Sequence, residues 1–492
     1  MADFKINYAF SKRHRVFIDQ HNDVIHVICA NPTPDTLLEI RRAFSQPITI
    51  EEVDEQEFSK LLNEHFEKRD SSTPNIAQNI EDNLDLNTIL EEMPDIEDLL
   101  ESQEEAPVIK LINALLGEAI NMNASDIHFE VFKNEFSVRF RIDGVLHEIF
   151  KPSKNLSGLI VSRIKVMAKL DIAEKKIPQD GRISLKIAGR MIDVRVSVLP
   201  SNHGERVVLR ILDQKNAKLD LDDLVPRDAI KNKIKRLIDN SHGIILVTGP
   251  TGSGKTTTLY GAINHLNEVE RNIITVEDPI EYDLPGIGQT QVNPKVGMTF
   301  AKGLRAILRQ DPDVIMVGEI RDKETADIAI EASLTGHLVL STLHTNSALG
   351  AITRLQDMGV QSFLLSSSLL GVIAQRLIRK VCPHCKQPYT PSEKEQELYP
   401  LFKGNHTLYH AKGCKACKNV GYIGRIAIYE IIEIDERLKE MIHEEASELD
   451  MKNYASQKTD DLLTDGLKRV LEGETTLEEV LRVISGHKVM TS

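Results

Sequence analysis

Nowhere in its 492 residues does the chain carry a run of 18 apolar residues, so no segment has the length and polarity of a simple membrane-spanning helix. The nearest candidate, SFLLSSSLLGVIAQRLI from Ser362 to Ile378, is broken by three serines and a late arginine and predicts a buried helix. The N-terminus lacks an apolar stretch followed by a cleavage site, and the expectation is a chain without a secretory signal. It is therefore placed in the cytoplasm, meeting any membrane through partners. An excess of positive charge is also missing. The net charge of −14 argues against a nucleic-acid grip, which shows as a basic patch or stripe. Cysteines are few, five in all, and no internal repeat is visible.

What is present falls into segments, as expected for a length that suggests roughly two to four domains. Residues 1–68 read as a small α/β module, with strands in RVFID, VIHVICA and PITIEEV and helices in TLLEIRRAF and EQEFSKLLNEHFEKR. Residues 69–106 form an acidic stretch in which no lysine or arginine appears between Glu81 and Glu105. That composition predicts a solvated, flexible linker, or else an acidic docking segment. Residues 107–215 return to α/β patterning and place Arg139, Arg141, Arg182, Arg195, Arg206 and Arg210 at strand positions. A half-solvated sheet accounts for some of these arginines, and a domain leaning over an anion accounts for more. From 226 to about 380, apolar strands alternate with helical stretches, the pattern of βα units and a parallel sheet. A cysteine-bearing segment and a helical tail complete the domain, 226–492.

The strongest chemical signal is GIILVTGPTGSGKTTTLYGAI. A β-branched run enters the loop Gly249-Pro250-Thr251-Gly252-Ser253-Gly254, and Lys255-Thr256-Thr257 opens a helix. This is the P-loop pattern in the strand–loop–helix setting that gives it meaning. Backbone N–H groups of such a loop cradle phosphate oxygens. Lys255 would add a charge at the β/γ-phosphates, and the Thr256 hydroxyl would reach Mg²⁺. Hydrolysis also needs acids to orient water and complete the metal shell. Two apolar strands end in such acids, NIITVEDPIEY at Glu277-Asp278 and DPDVIMVGEIRD at Glu319. The second resembles a Walker B strand, yet Gly318 stands where the metal-binding aspartate is usual. Glu277 is the first choice for polarising water and Glu319 the second, with a share in the metal shell.

In TGHLVLSTLHTN, His337 and His344 bracket another strand. If extended, they lie roughly 23 Å apart at about 3.3 Å per residue, on opposite faces. They cannot share a metal or act as an acid/base pair. His344, at the C-terminal end, is placed to sense the γ-phosphate, and His337 to serve packing or a subunit contact. GLRAILRQDPD adds Arg305 and Arg309 at helical spacing, which an exposed basic face explains equally well.

Four of the cysteines form two CxxC pairs, Cys382/Cys385 and Cys414/Cys417, separated by 28 residues. Four thiolates suit a closed, structural, tetrahedral Zn²⁺ site, and a redox pair is the alternative. Cys29 reads as a small buried residue.

Taken in order, GPTGSGKTTT, ITVEDPIEY, DPDVIMVGEIRD and TGHLVLSTLHTN resemble the linked motifs of the secretion ATPase superfamily, which drives type II secretion and type IV pilus machines. NYAFSKRHRVFI resembles the N-terminal module of the type II secretion branch, the GspE family, and an RLG-type motif of pilus modules is not seen. The resemblance implies a RecA-like core with a parallel-rich sheet, a preceding PAS-like domain, a four-cysteine zinc element at 382–417 and a C-terminal helical tail. It further implies ATP, Mg²⁺ and Zn²⁺ as cofactors, and Arg195 and Arg210 as nucleotide-binding arginines. Its other implications are a homo-hexamer, docking of residues 1–68 on the cytoplasmic domain of an inner-membrane secretion protein, a second contact with a membrane platform protein, and no nucleic-acid partner. The expected function is that of a motor for pseudopilus assembly and export of folded proteins, with pilus assembly as the alternative. A nucleic-acid translocase and a non-hydrolysing scaffold are weaker readings, disfavoured by the charge and by the intact Lys255-Thr256 pair.

Overall fold

A computed structural model describes residues 16–21, 24–30, 48–54, 106–187, 190–212 and 220–485. The helices expected at 36–44 and 55–69, and the acidic stretch up to Glu105, lie outside the described residues. The chain divides into two compact units, one of 1–140 with 147–211 and the other of 141–146 with 212–492.

In the first unit, β1 (Val16–His21), β2 (Val24–Cys29) and β3 (Ile48–Glu52) fall on the three stretches read as strands. β1 and β2 pair antiparallel, and β2 and β3 pair parallel. Cys29 is fully buried. Helix α1 (Ala106–Asn121) precedes β4 (Ala124–Val131), β5 (Phe136–Ile142) and β6 (Val145–Phe150). Helix α2 (Ser157–Met167) leads to β7 (Gln179–Ile187), β8 (Arg190–Ser201) and β9 (Gly204–Leu212). These six strands form one sheet in the order β6-β5-β4-β9-β8-β7. Leu111, Leu115, Phe129, Phe136 and Phe140 are fully buried there, as the alternating pattern requires.

The second unit is built on a seven-stranded sheet. Its elements are α3 (Asp228–Ile238), β10 (Gly243–Thr248), α4 (Lys255–Leu266), β11 (Ile273–Glu277), β12 (Gly288–Gln291), α5 (Phe300–Ile307) and β13 (Val314–Val317). There follow α6 (Lys323–Leu334), β14 (Leu338–Leu343), α7 (Leu349–Asp357), α8 (Ser362–Ser368) and β15 (Leu369–Val381). The order is β12-β11-β13-β14-β10-β15-β18, where β18 is Tyr422–Glu433. All neighbours are parallel except β15 and β18. β10, β13 and β14 are buried along their whole length, as central strands covered on both faces must be.

One expectation is corrected here. The run from Ser362 to Ile378 is not a single helix: a short helix stops at Ser368 and a 13-residue strand begins at Leu369. Ser366 and Ser367 donate to Phe363 O and Ser368 donates to Leu364 O, so the three hydroxyls cluster where the helix ends. The rest, rich in Val and Ile, pairs with β10 on one side and β18 on the other.

Between β15 and β18 sits the cysteine element. It holds a two-stranded ribbon of β16 (Lys386–Tyr389) and β17 (Leu408–Ala411), with α9 (Glu393–Leu398) in between. The tail is helical: α10 (Glu436–His443), α11 (Glu448–Ala455), α12 (Leu462–Leu471) and α13 (Leu477–Ser485).

Candidate nucleotide site and cysteine cluster

Because β10, β13 and β14 run parallel and in register, their C-terminal ends line one edge of the sheet, where ligands bind in such folds. The P-loop leaves β10 at this edge. Gly254, the residue before α4, has φ +87°, and a side chain there would meet the Gln375 amide at 2.8 Å, so glycine is required on both counts. Lys255 is nearly buried and folds back over the loop, donating to Gly249 O at 2.8 Å and Pro250 O at 3.1 Å. Burial, opposed by the Glu319 carboxylate and reinforced by Arg376, brings its pKa down to about 8. Lys255 is thus a cation held in a poorly solvated place, where an arriving anion would be favoured.

The acids at the ends of β11 and β13 have different surroundings. Glu277 is 2% exposed and accepts hydrogen bonds from Tyr260 Oη, from Thr275 Oγ1 at 2.6 Å and from Gln289 Nε2 at 3.0 Å. Burial first, and the bond to Glu277 second, drive the Tyr260 hydroxyl's pKa upward, so the phenol stays a donor. Glu319, two residues past β13, keeps partial exposure. Its Oε1 accepts from Arg321 and its Oε2 lies 3.3 Å from His344 Nε2. Arg321 also reaches toward Asp278, at 3.9 Å.

Gly318, at the place of the usual aspartate, lies under tight backbone. A side chain there would come within 3.3 Å of Val276 O and 3.4 Å of Glu277 Cα. A side chain at 318 would require the two strand ends to give by a few tenths of an ångström. Thr342 Oγ1 donates to Gly318 O at 2.7 Å, fixing β14 to the same corner.

Of the two histidines, His344 falls at this edge beside Glu319 and His337 does not. The His337 ring Nδ1 sits 2.9 Å from Ala332 O and 3.3 Å from Thr335 Oγ1, at the C-terminal end of α6, where unpaired carbonyls need donors. That is a capping contact. Thr345 continues the edge, its Oγ1 2.6 Å from Thr248 Oγ1 at the root of the P-loop. Arg305 pairs with Glu324 at 2.6 Å, and Arg309 donates to Arg305 O. Both serve an exposed helix face.

The arginines of the six-stranded sheet have local partners. Arg139 and Arg206 both engage the buried Glu130, and Arg210 Nε donates to Asp126 Oδ1 at 2.9 Å. Arg195 on β8 stands opposite Arg182 on β7, two like charges on facing strands. Such a pairing is unfavourable by itself, and an anion near it, from the protein or from a ligand, relieves the repulsion.

Sγ atoms of Cys382, Cys385, Cys414 and Cys417 lie within 4.8 Å of one another, the one such metal-ligating group among the described residues. Backbone N–H groups of Cys414 and Gly421 point at Cys417 Sγ, at 3.1 and 3.2 Å, and stabilise a thiolate. Four soft donors at this spacing fit tetrahedral zinc, with no fifth group to leave a coordination position open.

Several contributors carry no signal in the sequence. Tyr260 and Gln289 reach Glu277 from other elements. Gln375 accepts from Thr258 Oγ1 at 2.7 Å behind the P-loop, but lies in the run read as helix.

Comparison with known proteins agrees with this geometry. Residues 101–482 match the family model described as type II/IV secretion system protein, and residues 5–66 match the model of an N-terminal domain of GSPII protein E. The chain is 54% identical over 479 residues to type II secretion system protein E of Dickeya dadantii, covering 97% of this chain and 96% of that one. It is 53% identical over 484 residues to type II secretion system ATPase E of Vibrio cholerae, with the same coverage. Among solved structures, the pilus retraction motor PilT with bound ADP aligns over 75% of this chain and 95% of its own, at TM-score 0.51 and 27% identity. The Legionella pneumophila ATPase DotB aligns at TM-score 0.56 and 23% identity, covering 76% and 95%, which speaks to the fold alone. At more than half identity along almost its entire length, the chain belongs to the protein E family of type II secretion ATPases.

Proposed function

We propose that this ATP-hydrolysing enzyme is the cytoplasmic motor of a type II secretion machine, turning over ATP at the edge formed by β10, β13 and β14 to drive pseudopilus assembly and protein export. The observation that carries the proposal is the convergence of Lys255, Glu319 and His344 at that edge, in a chain of this family. The P-loop amides and Lys255 bind the β- and γ-phosphates. Thr256 would hold Mg²⁺, which when bound neutralises charge on the phosphate oxygens. Glu319 accepts a hydrogen bond from the attacking water and orients it, and His344 stands beside Glu319 to meet the γ-phosphate. Glu277, engaged by three donors, is held to the corner of the site more tightly than Glu319. Arg195 and Arg210 supply further positive charge to the phosphates, a role that rests on the resemblance to the family's motifs.

The same reading includes a homo-hexamer, docking of residues 1–68 on an inner-membrane secretion protein, contact with a membrane platform, and structural zinc on the four cysteines. Among the described residues no helix is long and apolar enough to cross a membrane, which fits attachment through partners. The zinc assignment is tested by metal analysis of the purified chain, with one zinc expected per chain and none in a Cys385→Ser, Cys417→Ser double variant.

The functional test compares cells lacking this gene, complemented with the wild type or with Lys255→Ala. Loss of secreted proteins with surface pili intact, rescued only by the wild type, is the expected result. Loss of pili with secretion intact would move the assignment to pilus assembly.

A further inference from the structure

Arg376 lies on β15, just beyond the last pairing of β15 with the P-loop strand. It is 7% exposed, and among the described residues no carboxylate comes within salt-bridge distance of it. Its guanidinium bonds only to neutral oxygens. Nη1 donates to Gln375 O at 3.0 Å, and Nη2 donates to Asn346 O at 2.9 Å and reaches Asn346 Oδ1 at 3.4 Å. Burial disfavours the charged guanidinium and only the more distant Glu430 carboxylate offsets this through space, so a place where such a cation is kept calls for a reason. Its surroundings supply one. A methyl group built on Gly249 would come within 3.1 Å of Arg376 Nη1, so the guanidinium lies against the first residue of the P-loop. Asn346 is two residues beyond His344. The same short loop is tied to the P-loop strand by Thr345 and Thr248, and its Ala348 N–H donates to Glu430 at 3.3 Å.

We propose that Arg376 is a positioning residue for hydrolysis: it braces the loop carrying His344 against the root of the P-loop, so that His344 and Lys255 address one phosphate together. The inference rests on the reading of His344 and Lys255 given above. Arg376 touches neither substrate nor metal in this role. It acts by holding the Asn346 backbone carbonyl, which no other described side chain engages by hydrogen bond.

The test is steady-state ATP hydrolysis and ADP affinity of the full chain for Arg376→Met, His344→Ala and the double variant, with Lys255→Ala as control. Arg376→Met is expected to lower kcat at least about tenfold with KM and ADP affinity changed by less than about threefold. The double variant should be no slower than the worse single variant, because the two residues act as one unit. A kcat within about twofold of wild type, additive losses in the double variant, or a parallel loss of kcat, ADP affinity and thermal stability would each overturn the proposal. Should Arg376→Met fail to fold, Arg376→Lys keeps the charge but cannot span Gln375 and Asn346 together. A fall in kcat of about fivefold or more is then expected, since misplacement of a reacting group lowers the rate even where its contacts persist, and wild-type kcat would overturn it. If Lys255→Ala hydrolyses ATP as fast as the wild type, it is the reading of the P-loop that fails, independently of Arg376.

Discussion

Two glutamates end neighbouring parallel strands of one sheet, and the protein treats them differently. Glu277 is enclosed, with Tyr260, Thr275 and Gln289 all donating to it. Glu319, one strand over, stays partly exposed and shares its carboxylate between Arg321 and His344. A carboxylate with three of its roughly four acceptor positions taken by enclosing donors has little left to offer a water. One with fewer partners and a partly open side does. Position at a strand's C-terminal end gives an acid access to the site. The donors around it then decide whether it acts on the substrate or on the scaffold.

The largest effect should come from Glu319→Gln. Its kcat is expected to fall by about 10²–10⁴, the range for loss of a positioned acid/base group, with thermal stability and ADP affinity nearly unchanged. If Glu277→Gln instead gives the greater loss of kcat at unchanged stability, the comparison is inverted. Next in size is Glu277→Ala, which strands the buried donors Tyr260 and Thr275 and should cost about 1–3 kcal/mol of stability in denaturant unfolding. Glu319→Ala, measured beside it, should cost much less.

A pH experiment probes the contrast through Lys255. Its ammonium loses its proton near pH 8 in the nucleotide-free chain, and a bound polyphosphate raises that pKa. Nucleotide affinity should therefore fall as pH rises through about 8, with proton uptake on binding above it, read by calorimetry in buffers of different ionisation enthalpy. The Glu319 charge supports the Lys255 ammonium, so Glu319→Gln should move this limb to lower pH, whereas Glu277→Gln should leave it in place. The smallest effect expected is that of Thr342→Val, which removes one hydrogen bond to Gly318 O and should cost about 1 kcal/mol with kcat within a few fold.

Much of this site is legible in the sequence because its signals are local. The P-loop is a contiguous pattern, and the rule that ligands meet strand ends puts Glu277, Glu319 and His344 on one edge. The four cysteines are legible because each CxxC pair brings its own two ligands together. What escapes are contacts made between distant segments. Nothing in ITVEDP says that Tyr260, 17 residues earlier, will cap its glutamate. Gln375 and Arg376 are hidden by the ambiguity of their own run: a continuous apolar stretch has no period, so a fully buried strand and a buried helix look alike. The glycine at 318 stands out as a departure, but the tight approach of Glu277's backbone beside it is revealed only by packing.

The cysteine element joins the sheet at one place. Val381 pairs with Tyr422, and Cys382 N–H donates to Gly421 O at 2.9 Å, so the insertion leaves and re-enters the sheet through a single doorway. Outside that doorway the element packs onto the tail: Phe402 and Leu408 are fully buried in one core with Leu467 and Val470 of α12, Lys386 donates to Gly473 O at 3.1 Å, and His410 Nδ1 lies 2.9 Å from Glu478 Oε1. The element from Cys382 to Gly421 therefore clasps the helical tail to the sheet, and cutting it out would bare apolar surface on α12. The phosphate edge, further back along β15 where Ala374 pairs with Thr248, would keep its register.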